Sequence, residues 1–183
     1  GRAISGLQAQ LKVAANKADS AKITEALTAE DKQVGNYREE LIKNNPDALL
    51  TTLLICMREP ELKGALKNPA NKADSTEAYT YFKSHFWDGV NFWDGRLAFT
   101  PFFEEKLEKY FSQLVLPHPD TVIKEIDRML SYASINEEMN RFLLVKFINR
   151  YLNQKYVWED AVFVHLFEKY VSQKTYPWLN EAG

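Results

Sequence analysis

The sequence predicts an all-α fold of antiparallel helix hairpins, packed as a bundle or a short solenoid. Apolar residues recur at helical spacing along most of the chain, as in Val122, Ile126 and Met129. Short segments with proline, asparagine or Asp-Gly separate these stretches. No segment shows the apolar–polar alternation that favours a half-buried strand. An aromatic-rich loop is expected around residues 87–99.

The first third of the chain predicts three helices. The first is expected over residues 3–17, and Asp19-Ser20 is the expected N-cap of a second helix over residues 21–44. Pro46 suits the first position of a third helix over residues 47–58, because a missing N–H costs nothing there.

The later helices are bounded by recognisable start signals. Asp74-Ser75-Thr76-Glu77 matches a capping box, which predicts that a helix begins after Asp74 and runs to about Phe86. Thr100-Pro101 predicts the start of the next helix. Further helices are expected over residues 120–132, 136–154 and 157–172. The last of them is apolar on most sides, which predicts that it is buried all round.

Aromatic residues divide the chain unevenly. Tyr37 is the one aromatic residue of residues 1–78, whereas the other 23 of the 24 lie in residues 79–183. The two parts therefore cannot build the same kind of core. We expect one continuous domain, in which long N-terminal helices over 1–58 and a loop over 59–74 pack on an aromatic-rich helical core over 75–183.

Composition excludes several classes of protein. The 183 residues carry 23 Lys and Arg against 25 Asp and Glu, so no basic excess is available to bind nucleic acid. The apolar runs fall far short of the ~18 residues of a membrane span, so no transmembrane segment is predicted. The single cysteine, Cys56, excludes a Cys-x-x-Cys redox pair within the chain. It lies in an apolar stretch and is expected to be buried.

Signatures of metal, cofactor and nucleophile sites are also missing from the sequence. His85, His118 and His165 do not pair at helical spacing, so no zinc motif is predicted. His165 lies in the most apolar helix and is expected to be a hydrogen-bonded core residue. No Gly-rich phosphate loop and no serine or cysteine nucleophile motif occurs. We therefore expect no catalytic residue, no metal and no cofactor.

The motif Phe-Trp-Asp-Gly occurs twice, at Phe86–Gly89 and Phe92–Gly95. The favoured interpretation is structural: each Asp can bond the backbone two residues on, each Gly can adopt a positive φ, and the rings bury the loop. The alternative is a ligand site, since indole faces beside carboxylates suit a sugar or a peptide on an aromatic shelf. The residues of that partner or ligand surface are Trp87, Asp88, Phe92, Trp93, Asp94 and Arg96.

Two further interpretations of the motif are disfavoured. A glycosidase pair of Asp88 and Asp94 needs a set separation and one raised pKa, which the sequence does not fix. A calcium loop needs more oxygen ligands than this segment contains.

After the last helix, the run Tyr176–Leu179 predicts a tail that docks on the core through Trp178.

A set of motifs extends along most of the chain: His85–Asp88, Phe92, Asp94, Arg96-Leu97, Thr100–Phe103, Lys106-Leu107, Pro119–Ile123, Asp127, Asp160–Leu166 and Pro177–Leu179. In these segments the chain resembles an uncharacterised helical domain that precedes the thioredoxin-like domain in envelope thiol-disulfide oxidoreductases of some Gram-negative anaerobes. The resemblance covers residues 37–180 well and the first 36 residues loosely. Trp93 departs from the small polar residue that family members often carry there.

The resemblance implies a non-catalytic accessory domain. The redox Cys-x-x-Cys of such proteins lies in the downstream thioredoxin-like domain, so no catalytic residue carries over. The parent protein would face the periplasm, often with a lipid anchor, and this chain would be the part before the redox domain. We expect a module that positions the covalently linked thioredoxin-like domain or recruits its partner, such as a periplasmic protein substrate. The alternative is a glycan- or peptide-binding module that uses the Trp87/Trp93 loop.

Overall fold

The computed structural model of the chain describes residues 5–6, 9–11 and 17–172. These residues form helices and turns without a strand, so the predicted all-α class is confirmed. The chain divides into two compact units, Gly1–Leu54 and Ile55–Gly183. The predicted docking of Trp178 lies outside the described residues.

The first unit contains helix α1 (Lys17–Asn44) and most of helix α2 (Leu49–Cys56). Alanine, lysine and glutamate dominate α1, and these residues lose little side-chain entropy in a helix. The helix already includes Asp19 and Ser20, so the N-cap predicted there is wrong. Gly35 is a weak helix former, but α1 continues through it, and the residues on both sides remain helical.

The turn between α1 and α2 corrects a second expectation. Pro46 lies in this turn, and α2 begins only at Leu49, so Pro46 is not the first helical residue. The Thr51 hydroxyl donates a hydrogen bond of 2.5 Å to the carbonyl of Asn45. The first turn of α2 is thereby tied to the end of α1, and the proline sits within the closed loop.

In the described residues of the second unit, the end of α2 is followed by five further helices: α3 (Lys72–His85), α4 (Pro101–Lys109), α5 (Pro119–Tyr132), α6 (Glu137–Leu152) and α7 (Glu159–Leu166). Short 3-10 turns lie at Gly64–Lys67 and Gly95–Phe99, and π-helical turns extend α4 over Tyr110–Leu114 and α7 over Phe167–Val171.

The start of α3 differs from the prediction. Asn71 is the N-cap, and its side-chain oxygen accepts a hydrogen bond of 2.9 Å from the amide of Asp74. The Asp74 carboxylate reaches back to the amide of Ala70 at 3.0 Å. The capping box predicted at Asp74–Glu77 is therefore wrong, because Asn71 satisfies the free amides first and adds the preceding turn to the helix.

The later helices confirm one predicted start and correct one prediction of burial. The helix predicted from residue 136 starts there: Asn136 caps α6, and its side-chain oxygen accepts from the amide of Met139 at 2.8 Å. The prediction that α7 is buried all round is wrong. Val162 and Leu166 are buried, whereas Val164 and Phe167 are exposed.

The core of the second unit is aromatic at its centre. Its largest fully buried side chains are Tyr110, Tyr151, Phe86, Phe103, Phe147, Leu97, Ile126, Met129, Met139, Leu143, Leu144 and Leu166. The rings of Phe86 and Tyr110 lie 5.3 Å apart, and those of Phe111 and Phe147 lie 5.1 Å apart. This core holds the ends of α3, α4 and α5, and the loop that carries the repeated motif runs along it.

Candidate functional site

The first copy of the repeated motif forms a tight turn after α3. The amide of Asp88 bonds the carbonyl of His85, and the amide of Val90 bonds that of Trp87, each at 3.1 Å. Gly89 has a φ of 73°, as predicted for this copy. A Cβ atom at this position would stand 2.9 Å from Cγ2 of Ile55, so both the backbone and the space require glycine.

The second copy is braced differently. Asp94 accepts hydrogen bonds from the amide and Nε of Arg96, at 3.1 and 2.8 Å, and from its Nη2 at 2.6 Å. The predicted bond to the backbone two residues on is thus present here. Gly95 does not use the positive φ that glycine allows. The side chains of Glu138 and Asn136 approach it instead, and a Cβ atom here would stand 2.6 Å from Oε2 and 2.9 Å from Oδ1 and would displace them.

The two tryptophans of the motif have different environments. Trp87 is half-buried, and its ring lies 5.2 Å from Phe86, 5.4 Å from Phe92 and 5.2 Å from Tyr110. Trp93 is 61% exposed. Trp87 is therefore anchored in the aromatic core, whereas the indole of Trp93 is largely open to solvent.

Three hydrogen bonds fix Trp93 despite its exposure. Its indole Nε1 donates to the carbonyl of Tyr132 at 3.1 Å. Its amide donates to Oδ1 of Asn91 at 2.9 Å, and its carbonyl accepts from Nδ2 of Asn136 at 3.0 Å. The ring is consequently held in one orientation by the end of α5 and by the cap of α6.

Trp87 and Trp93 line one concavity of about 570 Å³. The motif supplies one wall, while α3, α5 and the turn after α5 supply the other. The complete lining is Ser84, Trp87, Asp88, Gly89, Val90, Asn91, Phe92, Trp93, Arg128, Ser131, Tyr132 and Ile135. Tyr132 and Ile135 are exposed, at 45% and 74%, so the rim is aromatic and aliphatic.

The structure brings four of the six predicted site residues into this concavity. Trp87, Asp88, Phe92 and Trp93 line it, with Phe92 buried beneath the others. Asp94 and Arg96 do not belong to the lining, and they are paired with each other. Sequence reasoning missed Arg128, Ser131 and Tyr132 of α5 and Ile135 of the turn that follows it, all of which lie far from the motif in the sequence.

A buried ionic network lies behind the wall formed by Arg128. Glu125 is only 7% exposed, and it accepts from Arg128 Nη2 at 2.7 Å, Lys83 Nζ at 3.2 Å and the Tyr110 hydroxyl at 3.1 Å. Burial, followed by the neighbouring Glu125 carboxylate, raises the pKa of Tyr110, so its hydroxyl stays protonated and keeps donating. The network fixes one side of the Arg128 guanidinium.

Two hydrogen-bond donors of the lining residues have no partner. Within the described part of the chain, Trp87 Nε1 and Arg128 Nε are the buried side-chain nitrogen or oxygen atoms without a hydrogen bond. An unpaired buried donor costs about 1–3 kcal/mol. Both donors belong to residues of the same concavity, so the cost of two unsatisfied hydrogen-bond donors falls on this part of the structure.

A second polar cluster joins α7 to α5. Asp127 accepts from His165 Nε2 at 2.9 Å, the Tyr170 hydroxyl at 2.7 Å and Lys169 Nζ at 2.8 Å. Partial burial opposes ionisation of Asp127, but these three bonds outweigh it and hold the pKa of this carboxyl below its usual value. The predicted hydrogen bonding of His165 is confirmed, although the side chain is half-buried and not in the core.

The single cysteine is buried as predicted. Cys56 is fully buried, and burial raises the pKa of its thiol although the nearby Lys106 opposes this. Lys106 donates to the carbonyl of Arg58 at 2.6 Å and lies 4.4 Å from the centre of the Phe86 ring. Burial lowers the pKa of Lys106. Its full burial gives Cys56 a packing role.

Two searches of the described residues are negative. They contain no group of three or more His, Cys, Asp or Glu side chains arranged to hold a metal ion. None of their helices is long and apolar enough to cross a membrane.

The fold and the repeated motif define an all-α domain with an aromatic core and an aromatic concavity at its edge. The chain belongs to the family DUF5106, a domain of unknown function, which matches residues 42–181. The predicted resemblance to an uncharacterised domain over residues 37–180 is therefore confirmed at the level of the domain. Neither a curated protein nor a solved structure matches the chain.

Proposed function

We propose that this domain is a non-catalytic recognition module that binds a segment of a partner protein in the aromatic concavity. The observation that carries the proposal is the joint presence of Trp87 and Trp93 in one lining. One indole is anchored in the core, and the other is exposed yet fixed by its bond to Tyr132. Such pre-ordered aromatic side chains are typical hot spots of protein interfaces, because binding costs them little conformational entropy.

The chemistry of the lining favours a protein segment over a glycan. Sugar binding requires polar side chains that are free to pair with ring hydroxyls. Here Nη2 of Arg128 is engaged by Glu125 and by the Tyr110 hydroxyl, Nε of Arg128 is buried, and Oδ1 of Asn91 is engaged by the amide of Trp93. Val90 and Ile135 add aliphatic surface, which suits an apolar side chain better than a hydroxylated ring.

The proposed setting follows from the resemblance. The domain would precede a thioredoxin-like domain in a periplasmic, often lipid-anchored thiol-disulfide oxidoreductase. It would recruit the protein that the redox domain reduces or oxidises, or hold the redox domain in position. The chemistry would stay with the Cys-x-x-Cys pair of the other domain, in keeping with a single buried cysteine here.

The test compares Trp93→Ala with Phe99→Ala in the full-length parent protein. Phe99 is a matched control because it is 76% exposed and lies outside the lining. Disulfide turnover is measured on a small-molecule disulfide and on disulfide-bonded periplasmic proteins. We expect Trp93→Ala to leave the first rate unchanged and to lower the second, whereas Phe99→Ala changes neither.

Each other outcome contradicts the proposal. An equal loss of disulfide turnover on both substrates would mean that Trp93 stabilises the fold of the parent protein. Unchanged rates on both would mean that the concavity recruits no partner. Binding of the 183-residue chain to a glycan array, abolished by Trp93→Ala, would establish the glycan-binding alternative instead.

A further inference from the structure

The pair Asp-Gly is chemically labile when the chain around it can move. The amide nitrogen of the glycine can attack Cγ of the preceding aspartate, because glycine has no Cβ to hinder the approach. The sequence contains this pair twice, at Asp88-Gly89 and Asp94-Gly95, and Phe-Trp precedes each copy. The two pairs therefore share their local chemistry, and a difference in their reactivity would come from the fold.

The first pair lies on an exposed turn. Asp88 and Gly89 are both exposed, and no hydrogen bond or ion pair engages the Asp88 carboxylate within the described part of the chain. Two main-chain hydrogen bonds of 3.1 Å close the turn, from Asp88 to the carbonyl of His85 and from Val90 to that of Trp87. Exposed turns of this kind open locally while the rest of the fold stays intact, so the carboxyl group can reach the Gly89 nitrogen.

The second pair is held from two sides. Asp94 accepts hydrogen bonds from the amide, Nε and Nη2 of Arg96, at 3.1, 2.8 and 2.6 Å. Gly95 is buried, and the side chains of Glu138 and Asn136 fill the space beside it. Ring closure at this pair would have to break the ion pair with Arg96 and displace part of the α6 cap.

We propose that Asp88 is a site of spontaneous isomerisation to isoaspartate in the folded protein, and that the fold protects Asp94 from the same reaction. The Gly89 nitrogen forms a bond to Cγ of Asp88, and the carboxyl hydroxyl leaves with the amide proton as water, which gives a succinimide ring. Hydrolysis of the new N–Cγ bond restores Asp88. Hydrolysis of the bond between this nitrogen and the main-chain carbonyl carbon leaves an isoaspartyl link. One water is lost and one is gained, so no other reactant is needed.

The product changes the wall of the concavity. An isoaspartyl link adds one methylene to the main chain and leaves the former main-chain carbonyl carbon as a free α-carboxylate. The hydrogen bond from Val90 to Trp87 spans this link, so the turn cannot keep its present geometry, and both of these residues line the concavity. The exposed α-carboxylate is the group that an L-isoaspartyl O-methyltransferase methylates. The inference does not depend on the proposed function.

The test ages the 183-residue chain at neutral pH, both folded in buffer and unfolded in guanidinium chloride. Chymotrypsin cleaves after Phe92 and Trp93, which separates the two Asp-Gly pairs into different peptides, and electron-transfer fragmentation then measures isoaspartate in each. Methyl transfer from S-adenosylmethionine by an L-isoaspartyl O-methyltransferase measures the same product in the intact folded chain. Asp88→Glu keeps the charge but needs a larger ring to cyclise, and Asp94→Glu is the matched control.

We expect isoaspartate to form at least about tenfold faster at Asp88 than at Asp94 in the folded chain, equivalent to about 1.4 kcal/mol in activation free energy. The reason is that charge-assisted hydrogen bonds must break at Asp94 before the ring can close. In guanidinium chloride the two rates should be closely similar. Asp88→Glu should abolish methyl incorporation into the aged folded chain, whereas Asp94→Glu should leave it at the wild-type level.

Four results would overturn the inference. Three concern the folded chain: equal rates at the two pairs, a faster rate at Asp94, or no isoaspartate at Asp88 although it forms there in guanidinium chloride. The fourth is the same ratio of rates in the folded and the unfolded chain, because the difference would then come from the following residues, Val90 and Arg96, and not from the fold. Localisation in the wild-type chain remains decisive if either variant fails to fold.

Discussion

The contrast between the two tryptophans yields a quantitative prediction about stability. Trp93 is 61% exposed, so it buries about 40% of a side-chain surface of roughly 250 Å², or about 100 Å². At about 25 cal/mol per Å² this burial is worth at most about 2.5 kcal/mol, and alanine retains part of it. The exposed bond to Tyr132 adds about 1 kcal/mol or less. Trp93→Ala should therefore lower the free energy of unfolding by about 2 kcal/mol.

Trp87→Ala should cost more, because this ring is packed within the core. Its removal empties a space bounded by Phe86, Phe92 and Tyr110, and such aromatic truncations cost about 3–5 kcal/mol. The assay is urea unfolding followed by far-UV circular dichroism. The free energies of unfolding of the two variants are compared with the same dependence on urea concentration (m-value) for both. If Trp93→Ala destabilises the chain as much as Trp87→Ala, Trp93 is a core residue and the argument for an exposed binding surface is wrong.

Further predictions concern the backbone at two glycines, the ionisation of Asp127 and the accessibility of the Cys56 thiol. Gly89→Ala should destabilise by about 1–3 kcal/mol in urea unfolding, because alanine is strained at a φ of 73° and its Cβ meets Ile55 at 2.9 Å. Gly35 lies in open space on α1, so Gly35→Ala should instead raise the free energy of unfolding by about 1 kcal/mol. A lower free energy of unfolding would contradict the helical conformation at this position. The pKa of Asp127 is lower in the folded than in the unfolded chain, so the ionised carboxylate stabilises the folded state above about pH 4. This stabilisation is lost as the pH falls through the pKa that Asp127 has in the folded chain. The stability gap between wild type and Asp127→Asn should accordingly narrow on acidification, and a constant gap from neutral to acidic pH would refute this. The Cys56 thiol should react with a thiol-specific reagent only after urea is added, and rapid reaction of the folded chain would show that it is not buried.

The fold class follows from the sequence because helical periodicity is repeated in every long segment. Helix boundaries are harder to predict, since several polar residues compete for each cap. Asn71 and Asp74 both suit an N-cap, and the structure selects Asn71 because Asp74 can then reach back to the preceding amide. The helix start predicted at residue 136 is confirmed, because Asn136 caps α6 by accepting from the amide of Met139.

The candidate site was predictable only where it is continuous in sequence. The repeated motif draws attention to Trp87 and Trp93, because it places two tryptophans and two Asp-Gly turns close together. Nothing local marks Arg128, Tyr132 or Ile135, which come from the end of α5 and the turn after it and enter the lining through tertiary packing. The contact of Arg128 Nη2 with Glu125 and the burial of Nε without a partner are properties of the folded network and not of a sequence pattern.

The two copies of Phe-Trp-Asp-Gly show why a local motif cannot decide burial. Their four residues are identical, yet the chain turns by a positive φ at Gly89 and without one at Gly95. In the first copy the glycine accommodates Ile55, and the tryptophan before it packs into the aromatic core. In the second copy the side chains of Glu138 and Asn136 occupy the space at the glycine, and Asn136 also binds the carbonyl of Trp93. The cap of α6 thus holds the second tryptophan at the surface, and an Asn136→Ala variant should both fray α6 and release Trp93 from its fixed orientation.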